Sequence, residues 1–507
     1  MKLYENKNTI TSSNSGKELP LKLVIQKVLE EIKRLAIQEI SKNRPYLKEQ
    51  TNKIKWVVTV PAIWNEHQKS IMMESCIGAG LVNNDTDKSL FFALEPEAAS
   101  LYCSINKEID RNYFKKGEYY IVCDLGGGTG DIVAHLIGSN NTLNEIFPSC
   151  GGNFGSNEID KSIFKDVILK LFGCQDFNTF YLKYSKKNNN IKDKDSEKAT
   201  LFNDWCELER EIKDFKEGTT LTKIENNTKC SINCSLFQDI FDDDIDINDL
   251  VKEYNDNVND SSLLLSVRAV GRRWIVEFPY EIVFSYMKTQ ANSICDIING
   301  INLKEDIKTI IFVGGYCYNE IVVNLIKNNL KKIKVCLQPS NPSLAIMEGA
   351  VLFGIEPSSI SIRKAKYTIG KKSAIPWNDK KHSGKGEKFY VESMKAWFCK
   401  DCFEKFIEKD QNIKYEESIS HENLVAGVKG AKVLRLEFYK TLKTNPIFIL
   451  EEGVIKIGEC KLEIGTDFKN LEDRKIKTTL KFGGTFIDVT AVHLKTGKSV
   501  KTTLTFD

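Results

Sequence analysis

Two apolar runs, Tyr119–Cys123 and Ile132–Ile137, flank the octet Asp124-Leu125-Gly126-Gly127-Gly128-Thr129-Gly130-Asp131. Strand-like runs on both sides of so short a Gly-dense segment predict a hairpin. Three consecutive glycines remove the side chains that would hold an anion away from the backbone N–H groups, so the turn can cradle phosphate oxygens. Asp124 and Asp131 would repel that phosphate, which predicts a divalent cation between them, Mg²⁺ held mostly through water. The plain alternative is a Gly-rich turn between two solvated acids.

A second corner bears on that choice. Thr309–Val313 reads as a strand, ends in Gly314-Gly315 and passes into a helix near Tyr318–Leu330, which puts bare backbone beside a helix N-terminus. The two corners lie about 190 residues apart, and each ends a strand; together they suggest two α/β lobes around one cleft.

The rest of the chain reads compatibly. Leu21, Ile25, Val28, Leu29, Ile32, Leu35 and Ala36 recur at helical spacing after Pro20. Lys55–Val60 is a β-branched strand stopped by Pro61, a helix is expected over Asn65–Gly80, and Leu90–Leu94 is a strand leading into a helix from Glu95. Gly151–Gly155 is a further Gly-rich loop before a helix starting at Ser156. Residues 183–200 and 217–262 are polar, and read as surface insertions with mobile stretches. Asp242, Asp244, Asp246 and Glu253 match four positions of a calcium loop, but Ile247 stands where that loop needs glycine, so a solvated acidic loop is expected. Beyond Pro357 apolar residues alternate, as in Leu434, Leu436 and Phe438, which predicts a β-rich, sandwich-like tail.

Composition narrows the partners. The net charge of the 507 residues is only +3, with no basic-aromatic face, so no nucleic-acid partner is expected. The first twenty residues lack the apolar core of a secretory signal, and no run is long enough to span a bilayer, so no membrane partner is expected. The 14 Cys are scattered singly, as in a reduced, cytoplasmic protein. Cys399-Lys400-Asp401-Cys402 has metal or redox spacing but no second pair nearby, and reads as structural thiols. The five His are isolated in sequence and read as surface or core residues.

At this point the residues resemble a known family. Val60-Pro61-Ala62-Ile63-Trp64-Asn65, Leu94-Glu95-Pro96-Glu97-Ala98-Ala99-Ser100, the 124–131 octet, Val313-Gly314-Gly315 and Glu348-Gly349-Ala350 follow the order of the seventy-kilodalton heat-shock proteins, members of the actin-like ATPase superfamily. The likeness is closest to that family's divergent twelfth-member branch, which also has a β-rich tail.

The resemblance implies an α/β fold: an actin-like (ribonuclease H-like), two-lobed ATPase domain over residues 1–356, followed by a β-rich substrate-binding-like domain over 357–507. Residues 1–117 would be a remnant of lobe I, and 118–356 lobe II with an insertion at about 157–270. It implies ATP or ADP with Mg²⁺ as cofactors. Glu95 would stand near the attacking water, Asp124 and Asp131 on the magnesium side, and Thr129 near the terminal phosphate. Gly126, Gly127 and Gly128 would form the phosphate turn, Gly314 and Gly315 the adenosine loop, and Glu209 and Lys213 the pair that packs on the nucleoside. Protein clients or co-chaperones are the implied partners.

The departures are equally specific. The family's first phosphate hairpin and the lysine that follows it have no equivalent in residues 1–54, so an N-terminally truncated domain is expected. Ser343 stands where the chaperones commonly have an acid, and the chain ends Phe506-Asp507 without the acidic docking motif. The expected function is a chaperone-like ATP-binding protein, hydrolysing ATP slowly if the first phosphate loop exists in the native product. The alternative is a non-catalytic pseudo-ATPase that keeps the fold as an interaction protein. A small-molecule kinase of the same superfamily fits the β-rich tail less well.

Overall fold

A computed structural model describes residues 9–11, 18–84, 87–176, 179, 194–232, 247–270, 273–301, 307–424, 433–464, 473, 475–482 and 486–504. Helix α1 (Leu21–Asn43) follows Pro20 as its periodicity predicts. Its apolar stripe is not buried, however: Val28, Ile32 and Leu35 are 50–53% exposed. Polar contacts hold it instead, from Gln26 to the Gly78 carbonyl and from Lys33 to the Gly80 carbonyl.

Strand β1 (Trp56–Val60), α2 (Glu66–Gly78), β2 (Leu90–Leu94) and α3 (Glu95–Ile105) form a β-α-β-α run. The two strands pair in parallel from Trp56–Leu90 to Val60–Leu94, as a helical crossover requires. Asn65 caps α2 reciprocally with Gln68, which fixes its start at Glu66.

The predicted hairpin is β3 (Tyr119–Leu125) and β4 (Gly130–Ile137), followed by β5 (Leu143–Gly152), α4 (Ser156–Ile163) and α5 (Lys194–Glu217). Then come α6 (Tyr280–Gly300), β6 (Thr309–Val313), α7 (Glu320–Asn329), β7 (Val335–Leu337) and α8 (Ala345–Ile355). The tail comprises β8 (Ile360–Lys364), β9 (Thr368–Pro376), β10 (Lys388–Val391), β11 (Ala396–Ile407), β12 (Asn412–Lys414), β13 (Ser418–Leu424), β14 (Val433–Thr441), β15 (Ile455–Glu463), β16 (Lys475–Lys481), β17 (Asp488–His493) and β18 (Ser499–Thr503).

Contact density divides the chain into two compact, discontinuous units. Unit one holds Met1–Val24, Cys123–Asp131 and Gly151–Ser343; unit two holds Ile25–Val122, Ile132–Cys150 and Leu344–Asp507. The β-rich tail thus shares a unit with α2, α3 and most of β4.

In unit one, β6 lies between β7, to which it is parallel, and the end of β3. Every residue of β6 is buried, because a central strand has apolar neighbours on both faces. Helix α6 buries Ile282, Val283, Met287, Ala291 and Ile294 along one stripe. The region expected to be a mobile insertion contains ordered elements. Lys229–Ile232, Arg273–Pro279 and Ser266–Val270 form a three-stranded antiparallel sheet, because Ile232, Leu265, Val276 and Phe278 supply a buried face despite the polar surroundings. Residues 183–193 and 233–246 lie outside the described residues, and with them Asp242, Asp244 and Asp246; so does the Phe506-Asp507 end.

In unit two, the order β3-β4-β5-β8-β12 makes one sheet. Gly349 of α8 lets that helix lie against α3; a Cβ there would sit 1.7 Å from the Ala98 carbonyl oxygen. The tail forms a five-stranded sheet, β10-β11-β9-β14-β15, and a four-stranded one, β13-β16-β17-β18. Phe406, Phe438, Ile457, Leu480 and Val489, drawn from both sheets, share one buried cluster. The predicted alternation is visible in β16, where Ile476, Thr478 and Leu480 are buried and their neighbours are not.

Candidate nucleotide-binding site

The hairpin turn closes with Gly126 N–H donating to the Thr129 carbonyl at 3.0 Å. Helix α4 begins on top of it: Ser156 N–H donates to the Gly126 carbonyl at 3.2 Å and Asn157 N–H to the Gly127 carbonyl at 2.8 Å. Two oxygens that would repel a phosphate are thereby engaged. Gly155 permits the approach, since a Cβ there would lie 2.4 Å from the Gly128 carbonyl carbon.

Asp124 and Asp131 are both buried, at 2% and 0% exposure, at the two ends of the turn. The Thr129 hydroxyl donates to Asp131 Oδ2 at 2.8 Å. Burial, with Asp124 beside it, pushes the Cys123 thiol up, so a neutral sulfhydryl rather than a thiolate lies under the acids.

The second glycine corner lies against the first. Gly314 has φ +86°, and a Cβ there would meet the Leu125 carbonyl oxygen at 2.4 Å and Asp124 Oδ1 at 2.5 Å. Only glycine fits both that backbone conformation and that space. Gly127 and Gly315 line one cavity of about 780 Å³ within unit one, together with Asn157, Lys213, Lys216 and Tyr316. That volume lies within the range of ligand pockets.

Two connections in this site span distances that sequence patterns do not report. Gln290 of α6 donates to the Gly155 carbonyl at 3.2 Å and accepts the Tyr316 hydroxyl proton at 3.2 Å, which ties the Gly155 loop to the corner that follows β6. Lys216, with its side chain 6% exposed, donates to Asp160 at 2.6 Å and to the Ser156 carbonyl at 3.1 Å. Burial raises the pKa of Asp160, and Lys216 pulls it back down.

The residues expected from sequence are placed as follows. Asp124, Gly126, Gly127, Gly128, Thr129, Asp131, Gly314 and Gly315 all belong to unit one, around the meeting of the two corners. Lys213 lines the cavity as an exposed side chain, 3.7 Å from Glu217. Glu209, one turn earlier on α5, is exposed and is not among the described lining residues. Glu95 opens α3 in unit two, half-buried.

No family model matches the sequence. Among known proteins, the chain is 25% identical to heat shock 70 kDa protein 12A of Homo sapiens over 555 aligned positions, which cover 98% of this chain and 77% of that protein. Identity to human heat shock 70 kDa protein 12B is also 25%, over 97% of this chain and 76% of the relative. Over nearly its whole length the chain is thus similar to the divergent twelfth-member branch of the 70-kDa heat-shock proteins. A shorter match, 33% identical over 108 residues and 21% of the chain, is to chaperone protein dnaK1 of Prochlorococcus marinus.

The residues present at the turn fit a magnesium–phosphate group. Two buried carboxylates supply hard oxygen ligands, and the glycine backbone leaves the space that any Cβ would fill. No described helix of this heat-shock-70-like chain is long and apolar enough to cross a membrane.

Proposed function

We propose that this heat-shock-70-like chain binds Mg-ATP and Mg-ADP at the meeting of its two glycine corners. The observation that carries the reading is the packing of Gly314 against Leu125 and Asp124, with Gly127 and Gly315 on the wall of one cavity. Backbone N–H groups of the 126–128 turn would take the phosphate oxygens, and Thr129 the region of the terminal phosphate. Asp124 and Asp131 would hold Mg²⁺ through water, and the ion would neutralise phosphate charge. Lys213 and Lys216 line the same wall, paired with Glu217 and Asp160, while the 314–315 corner would receive the nucleoside.

Two α/β lobes gripping the nucleotide, slow hydrolysis, and client binding by the β-rich tail complete the proposal. In hydrolysis, positioning and charge neutralisation would do most of the work. Glu95 enters from the family resemblance alone, as the group that orients the attacking water.

Calorimetry on the full chain tests the binding step. Mg-ADP is expected to bind, and Asp124→Asn to weaken it at least about tenfold, or about 1.4 kcal/mol. A folded wild-type chain that takes up neither nucleotide at millimolar concentration overturns the reading. Turnover is a separate question: phosphate release lost in Glu95→Gln, with nucleotide affinity kept, supports the role given to Glu95.

A further inference from the structure

We infer that His382, Cys399 and Cys402, in the β-rich tail, form a binding site for a soft transition-metal ion, independent of the nucleotide reading. The three ligand atoms lie within 4.8 Å of one another. In a zinc–thiolate–imidazole centre they would lie roughly 3.5–4 Å apart, so closing the site takes a movement of about 1 Å.

The convergence is built into the strand. Residues three apart on a regular strand face opposite sides of the sheet. Here the three steps from Cys399 to Cys402 oppose only the two from Ser373 to Ile375, a bulge in β11. Asp401 takes the extra step at φ 55°, a conformation unfavourable for a residue with a side chain. Both sulfurs are brought to the side where His382 ends the short helix Asp379–His382.

Burial argues for a partner. Cys399 and Cys402 are 0% exposed and His382 is 1% exposed. His382 Nδ1 accepts the Asn378 N–H at 3.0 Å, whereas Nε2 is buried with no hydrogen-bond partner. In the metal-free chain the ring proton therefore sits on Nε2, where it meets no acceptor, an unfavourable arrangement in a buried site. A cation on Nε2 would give that buried atom a partner, in exchange for the Asn378 contact. The ring proton passes to Nδ1, the Asn378 contact opens, and each coordinating thiol releases its proton to solvent.

The surroundings select the ion. The rings of Trp377 and Phe448 flank His382, with centroids 5.4 and 6.0 Å away. Gly386 brings its loop directly over Cys399, where a Cβ would lie 2.4 Å from Sγ. A dry pocket with two sulfurs and one imidazole disfavours hard ions and suits Cu⁺ or Zn²⁺. Among the described residues the cluster has no fourth His, Cys, Asp or Glu ligand, which favours three-coordinate Cu⁺; Zn²⁺ would need a small exogenous ligand.

The test uses the full chain, reduced and stripped of metal. Cu⁺ is titrated against a competing chelator in one arm; in another, Zn²⁺ is titrated, with Co²⁺ as its spectroscopic substitute. One equivalent is expected to bind, with a thiolate-to-cobalt charge-transfer band. Affinity should fall about 100-fold or more in Cys402→Val and in His382→Gln, and stay unchanged in Cys230→Ser. Cys402→Val keeps the apolar volume, and circular dichroism verifies its fold; the wild-type cobalt spectrum needs no variant at all. The inference is overturned if neither ion binds the reduced wild type at one equivalent, or if the folded variants bind as tightly as it does.

Discussion

Gly314→Ala separates the packing argument from the ligand argument. At φ +86° and ψ 161°, a region essentially reserved for glycine, an alanine pays about 1–2 kcal/mol in backbone strain. Its Cβ would also lie 2.4 Å from the carbonyl oxygen and 2.7 Å from the carbonyl carbon of Leu125, backbone atoms of a strand residue that is 0% exposed. Overpacking of that kind costs about 1–3 kcal/mol, so the total is about 2–5 kcal/mol. For a unit of this size, each kcal/mol lowers the melting temperature by about 2–4 °C, and a fall of roughly 4–20 °C is expected by calorimetric scanning. Because Leu125 immediately precedes the phosphate turn, nucleotide affinity should fall with it. Gly315→Ala is the internal control: nothing lies within 4 Å of a Cβ there, and its φ is not in the left-handed region. It should melt within about 0.5 kcal/mol of the wild type and show its effect only in nucleotide affinity. If Gly314→Ala melts with Gly315→Ala, the close approach of the two corners is not what holds this region together.

Lys216→Met should destabilise unit one by about 2–4 kcal/mol, because it leaves Asp160 partly buried without its cation; Asp160→Asn in the same chain should recover much of that loss, measured as a double-mutant cycle in urea. Two acids of unit two, the buried Glu145 and the half-buried Glu404, give opposite pH dependences. Glu145 is raised to about 7 by burial, with Glu97 adding to the shift against backbone N–H groups of Lys364 and Ser149. The folded chain therefore keeps this proton while the unfolded one loses it, and stability falls as pH rises from about 4.5 to about 7, by an amount on the order of 3 kcal/mol that Glu145→Gln removes. At Glu404, burial on its own raises the pKa, but hydrogen bonds from His421 and Asn423 and the charge of Lys371 outweigh it and bring it down to about 2. That contribution is complete above about pH 4.5 and is lost as pH falls toward 2, and Glu404→Gln should flatten the acid limb of the urea midpoint against pH. An unchanged slope in either variant refutes the assignment of that limb.

What could be read from the chain beforehand was what neighbouring residues decide. The 124–131 hairpin, the Gly314-Gly315 corner and the alternation of the tail each depend on residues within a few positions of one another, and each is found where local chemistry puts it. The start of α2 moved by only one residue, because Asn65 is its cap rather than its first turn. The helix read at α1 is present, but a helical period reports that one face is apolar, not that a neighbour covers it, and Val28, Ile32 and Leu35 remain half exposed. Lys216 and Gln290 carried no local mark, since their partners Asp160 and Gly155 lie 56 and 135 residues away.

The tail shows why such contacts matter for reading function. Cys399 and Cys402 look like ordinary strand thiols when counted along the sequence, and His382 like an isolated histidine. Only the bulge at Asp401, invisible to a period-two pattern, turns both sulfurs to one side and gives the histidine something to meet. The residues of this chain with most chemical consequence are therefore those at which a regular element breaks its own rule: Gly314 at positive φ, Asp401 in a bulge, and Gly155 where a helix must start against a turn. Substitutions that restore regularity at these three positions should cost more than the loss of any exposed charged side chain nearby, whose ion pairs are worth at most about 1 kcal/mol.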